Sequence, residues 1–168
     1  MVRELAHLLE PWKTLYADSK AVSTAVTGFH ILALLVGGGL AIAADRSTLR
    51  ALRRTEAERT YQVGELRAVH RPVLIALAVL FVTGVLLAAS DVETYAASKI
   101  FLVKMGFVAL LLVNGSVLYR TEQRLTGALD AGAAPPDALW PRLRWTARAS
   151  LALWLLTAAG GAVLAGIA

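Results

Sequence analysis

Four long apolar segments run through the chain, Ala21 to Ala44, Pro72 to Ser90, Ile100 to Tyr119 and Ser150 to Ala168. A bilayer core about 30 Å thick is crossed by roughly 20 apolar residues at 1.5 Å of rise each. All four segments are long enough. The pattern predicts an all-α fold, a membrane-embedded four-helix bundle forming one integral membrane domain over residues 1–168. Ahead of the first segment, Leu5, Leu8, Leu9, Trp12, Leu15 and Tyr16 recur at helical spacing opposite Arg3, Glu4, Glu10 and Lys13. That predicts an amphipathic helix lying along the membrane interface rather than a fifth span.

The connections differ in charge. Arg46, Arg50, Arg53, Arg54, Arg59, Arg67 and Arg71 follow the first span, and Arg120, Arg124, Arg142, Arg144 and Arg148 follow the third. The other side carries only Arg3, Lys13, Lys20 and Lys99. Short basic loops stay cytoplasmic, so both termini are expected outside. Trp12, Tyr16 and Tyr95 would form an outer aromatic belt and Trp140 and Trp145 an inner one. In the first basic connection Ser47 or Thr48 is a candidate cap for a surface helix. In the second, Gly127 to Pro136 reads as a flexible turn. The small residues Ala41-Ile42-Ala43-Ala44 suggest a signal-peptide cleavage site, but the apolar run is too long and acidic residues precede it, so it is read as a retained span.

Composition agrees with the membrane reading: 57% of the 168 residues are hydrophobic. The net charge of +5 is explained by topology and by contact with anionic lipid, so no nucleic-acid partner is expected. Cysteine is absent, which removes disulfides and thiolate metal sites. No hydrolase motif, Walker loop or dinucleotide fingerprint occurs in a suitable context.

Across the four spans only two Asp, Glu, His, Lys or Arg side chains occur, His30 and Lys104. A titratable group in hydrocarbon is costly and marks a functional site by default. Along the first span Ser23, Thr27, His30, Gly37, Ala41 and Ala44 follow one another at steps of three, four or seven. This face is small and partly polar, and should turn inward. His30 and Lys104 then lie within about one helical turn of each other in depth. A neutral imidazole there could ligate a haem iron or another metal, shuttle a proton, or donate to a carbonyl. Lys104 either holds an anionic group or reaches outward to headgroups or to Asp91 and Glu93. Asn114 is expected to bond between helices. His70, about 20 Å from His30 in depth, is too far to share a haem with it and is expected at the interface near lipid phosphate. With two methionines and scattered histidines, a copper or zinc site is disfavoured.

Phe29-His30-Ile31-Leu32-Ala33-Leu34, Thr83-Gly84 and Val103-Lys104-Met105 resemble segments of the HemJ-type protoporphyrinogen oxidases and of the membrane domain of copper-resistance protein D. Thr83 to Arg120 is similar to uncharacterised bacterial integral membrane proteins. In the oxidases a first-span histidine is a proposed b-haem ligand and a third-span lysine belongs to the same site; the resemblance carries these to His30 and Lys104. The chain departs from the oxidase pattern at Asn114-Gly115, where a further histidine is expected, and it lacks a tryptophan near His30. The likeness thus implies porphyrin binding more than porphyrinogen oxidation. It also implies residence in a bacterial cytoplasmic membrane. The expectation is a small membrane protein holding b-haem or another porphyrin, with His30 as metal ligand and Lys104, Thr27 and Thr83 beside the cofactor. The alternative is a cofactor-free accessory subunit that joins a larger membrane complex, or self-associates, through glycine-rich faces such as those bearing Gly38 and Gly161.

Overall fold

The computed structural model describes residues 2–167, so Met1 and Ala168, the ends of the predicted domain, lie outside it. Among the described residues every regular element is an α-helix. They are α1 (Val2–Asp18), α2 (Lys20–Ala51), α3 (Glu56–Ser90), the short α4 (Val92–Ala97), α5 (Lys99–Asp130) and α6 (Leu139–Ile167). Of these α2, α3, α5 and α6 are long and apolar enough to cross a membrane. Their apolar stretches are largely uncovered within the molecule: Phe29, Leu35, Phe81, Val113 and Leu155 are all exposed. Such surfaces suit lipid, since lipid tails are as apolar as the side chains and nothing is gained by hiding them.

The four long helices continue well past the apolar segments. Ser47 and Thr48 lie inside α2, not at a cap, and the Thr48 hydroxyl donates to the Ala44 carbonyl at 2.9 Å. No Gly or Pro interrupts Asp45 to Ala51, so the helix persists on propensity. The turn comes instead before Thr55, whose side chain and Glu58 form a reciprocal capping box at the start of α3. α3 therefore begins far upstream of Pro72 and runs through it, giving up the one backbone bond that proline cannot donate. α5 likewise extends through Gly127 to Asp130 before Gly132 turns the chain at φ 66°.

The topology is two antiparallel hairpins, α2 with α3 and α5 with α6, joined mainly where α2 meets α6. α3 and α5 touch only sparsely, which leaves a cleft between them. The best-buried apolar cluster, Leu52, Val63, Leu66, Leu125, Leu139 and Leu143, sits at the Arg-rich end, beyond the predicted spans. Here the helices pack as a water-facing bundle would, with apolar residues inward and arginines outward.

α1 is docked rather than free. The Trp12 indole donates to the Leu86 carbonyl at 2.9 Å, and Tyr16 shares a 3.1 Å hydrogen bond with Thr27. α1 also packs on α4, where burial pushes the Tyr95 phenol up, with Tyr16 and Asp91 adding to the shift. Leu8 on the far face stays 76% exposed.

At the middle of the bundle two neighbouring glycines of α2 admit two different helices. A Cβ at Gly37 would lie 2.6 Å from the Cβ of Ala76 on α3, and one at Gly38 would lie 3.2 Å from the Trp154 ring on α6. Gly39 faces open space. Gly37→Ala should therefore force α2 and α3 apart and cost about 1–3 kcal/mol. Gly39→Ala should be neutral or stabilising by up to about 1 kcal/mol. Unfolding titrations in mixed micelles check this, with Ala76→Gly expected to recover much of the Gly37→Ala loss.

Candidate functional site

His30 lies on α2 where α3 passes closest to its ring. Its Nδ1 is 2.8 Å from the Thr83 hydroxyl. That hydroxyl is 2.7 Å from the Val79 carbonyl and 3.3 Å from that of Leu80. A carbonyl only accepts, so the single hydroxyl proton of Thr83 is committed to its own helix. Towards His30 the threonine oxygen can therefore only accept. This arrangement favours the tautomer with the proton on Nδ1, which leaves Nε2 of the neutral ring with a bare lone pair. Among the described residues none offers Nε2 a hydrogen bond. Gly84 completes the arrangement: a Cβ there would meet the imidazole Cε1 at 3.5 Å, so a larger side chain would crowd the ring.

Lys104 joins this level from α5. It does not run outward along the membrane surface: its stem crosses Gly160, and its Nζ lies 3.5 Å from where a Cβ on Gly161 would be. Among the described residues it has no carboxylate partner, so Asp91 and Glu93 are not its counter-ions. It is near enough to His30 for the two to interact electrostatically. Beside it α5 and α6 form a shallow groove of about 190 Å³ that includes Val103, Phe107 and Gly160. Thr157, one turn along α6 from Gly161, has a buried hydroxyl with no hydrogen-bond partner.

The structure thus brings His30, Thr83 and Lys104 to one end of the bundle. Thr27 lies one turn from His30 on the same helix, but its hydroxyl is engaged by Tyr16 of α1. Asn114 is deeper and bridges helices as expected, donating to the Thr146 carbonyl at 2.9 Å.

His70 departs from its expected place. It faces inward, its ring 4.6 Å from that of Tyr119 and its Nδ1 3.1 Å from Oε2 of Glu122. A lipid-phosphate contact is replaced by a carboxylate on the facing helix. The pair is close without being aligned as a hydrogen bond, so Oε2 of the buried Glu122 has no donor. Asp45, at 2% exposure, lies beside Ser150, with Oδ2 also lacking a donor. All three are drawn inward because α2, α3 and α5 run on past the apolar segments and stay packed in the bundle there. The spacing of Val63, Leu66 and His70, and of Leu118, Thr121, Glu122 and Leu125, was the available signal: it is that of a helix face packed in a bundle.

Two consequences of the His30 geometry are measurable by ¹⁵N NMR of the imidazole. The wild-type ring should show a protonated Nδ1 and an unprotonated Nε2. Thr83→Val, which removes the acceptor, should move the population towards the opposite tautomer, whereas Thr83→Ser should preserve it. Comparison with protein-family models, curated proteins and solved structures gives no match for this chain.

Proposed function

We propose that this chain is a multi-pass protein of a bacterial cytoplasmic membrane, its Arg-rich end facing the cytoplasm, that holds a hydrophobic metal-bearing cofactor of the b-haem or porphyrin class. The observation that carries this reading is the 2.8 Å contact of His30 Nδ1 with a Thr83 hydroxyl that itself lies 2.7 Å from the Val79 carbonyl, an arrangement that favours Nδ1–H and a bare Nε2. Ligating histidines characteristically donate their other ring N–H to a fixed acceptor, which sets tautomer and ring orientation. Thr83 supplies that acceptor from within α3. A bound porphyrin would supply redox chemistry or be passed on as cargo.

The chain's own residues divide the remaining tasks. Nε2 of His30 would be the donor atom for the metal, and His70 cannot oppose it, since it lies beside Glu122 at the other end of the bundle. The Lys104 amine, without a carboxylate partner among the described residues, suits a peripheral anionic substituent. The groove beside Lys104, at about 190 Å³, is smaller than the roughly 300–1,000 Å³ of a complete small-molecule site. His30 and Thr83 do not line it, so the groove would take only a peripheral group of the cofactor.

The accessory-subunit alternative gains less from the geometry. The two glycines it relied on, Gly38 and Gly161, are covered from within by Trp154 and Lys104. Substituting them tests internal packing before it tests docking.

Protein purified from haem-replete cells should show a Soret band, and His30→Ala should abolish it. Thr83→Val should weaken haem affinity about 10–100-fold, as loss of an outer hydrogen bond to a ligating histidine does. A colourless wild-type protein that also fails to take up added haem would overturn the proposal.

A further inference from the structure

The cleft between α3 and α5 opens into a second site, separate from His30. Its cavity is about 380 Å³, within the size range of small-molecule pockets. Asp45 and His70 stand at its wall, 15 and 40 positions along the chain from His30; along α2 the separation is about 22 Å. The walls are otherwise mostly leucine and valine from α3 and α5, with Trp154 and Ser150 contributed by α6.

Asp45 is the polar group of this wall left without a hydrogen-bond donor on one oxygen; His70, Ser116, Tyr119 and Ser150 also line it. Asp45 lines it at 2% exposure, and its Oδ2 is buried without a donor. A buried carboxylate oxygen left unpaired is costly, and the cost is removed by whatever brings it an N–H or O–H. No basic side chain among the described residues forms an ion pair with Asp45. Leu74 of α3 and Leu112 and Tyr119 of α5 line the cavity and are exposed, so it opens at the gap where these two helices barely meet. An occupant entering that way comes from the hydrocarbon. The volume is too small for a two-chain lipid.

We propose that this cavity binds a single-chain amphiphile whose head donates hydrogen bonds, a lipophilic amine or alcohol, with the head on Asp45 and the apolar body between α3 and α5. Gly115 lies in the wall on α5, and a Cβ built there meets nothing within 4 Å. The absence of a side chain at that position keeps the space open.

Trp154 reports on the cavity directly. In the full chain with Trp12, Trp140 and Trp145 replaced by phenylalanine, reconstituted in phosphatidylcholine nanodiscs, the probes are 12-bromododecylamine, 12-bromododecanol and 12-bromododecanoate. Bulk partitioning quenches all three without saturation, so the quantity read is the saturable part. The amine and the alcohol should each show it, and the carboxylate, repelled by Asp45, should not. A stronger response to the amine than to the alcohol would identify ionised Asp45 as the acceptor, and the reverse a hydroxyl-selective site; either supports the proposal.

Asp45→Asn should weaken the saturable component about tenfold or more, the scale of one hydrogen bond to a charged group. Gly115→Leu should abolish it by filling the space while leaving Asp45 and the melting temperature in place, so the result does not depend on Asp45→Asn folding. Equal saturable quenching by the carboxylate, no saturable quenching by any probe, or insensitivity to Gly115→Leu would overturn it, leaving a crevice filled by bilayer chains.

Discussion

Two adjacent glycines of α2 hold the molecule together. Gly37 lets α3 approach through Ala76, and Gly38 receives the face of Trp154 from α6. Neighbouring positions on a helix point about 100° apart, so this one step of chain faces two partners at once. α2 is thereby the common wall of both hairpins. Its contact with α6 is the main link between them, and it fixes the distance at which α5 stands from α3. Both the cleft and the level at which Lys104 meets the His30 region follow from that spacing. A side chain on either glycine would alter them together.

Within such apolar helices polar side chains persist by bonding to their own backbone. Thr48, Thr83, Thr121 and Thr146 each donate to the carbonyl four residues earlier. The arrangement hides a hydroxyl without requiring a second helix to supply a partner. Against that background the buried groups without a hydrogen bond stand out: Oδ2 of Asp45, Oε2 of Glu122, the hydroxyls of Thr157 and Thr126, and Nε of Arg59. The first two lie towards the Arg-rich end, and Thr157 lies close to the Lys104 level. Three of these five lie at the depths of the two sites described above, and Arg59 and Thr126 lie beyond them at the Arg-rich end.

The long helices could be read from hydropathy because the spans must be apolar over their full width. The pairing of His30 with Lys104 at one level followed from helical rise alone, and Asn114 could be recognised as a bridging residue. The extent of the helices was harder to see. Beyond the spans the segments become polar on one face only, and a one-sided apolar pattern broken by many arginines resembles a solvated connection. Helical spacing marks His70 and Glu122 as inward-facing, but nothing in the chain announces that they meet Asp45 and Ser150 from four different helices. His30 and Thr83 are 53 residues apart; the resemblance brought Thr83 into view, but its hydrogen-bonding role depends on how α3 packs on α2.

The Thr83 hydroxyl does more than orient an imidazole. A histidine that relays protons along a wire takes one on at one nitrogen and releases another from the opposite side, and the ring must then be reset. In this chain Nδ1 faces an oxygen whose only proton is already committed to the Val79 carbonyl. Thr83 can hand no proton to Nδ1, and one leaving Nδ1 has no onward carrier in that direction. The threonine is thus a stop on one side of His30, and it leaves Nε2 as the ring nitrogen open to a further partner.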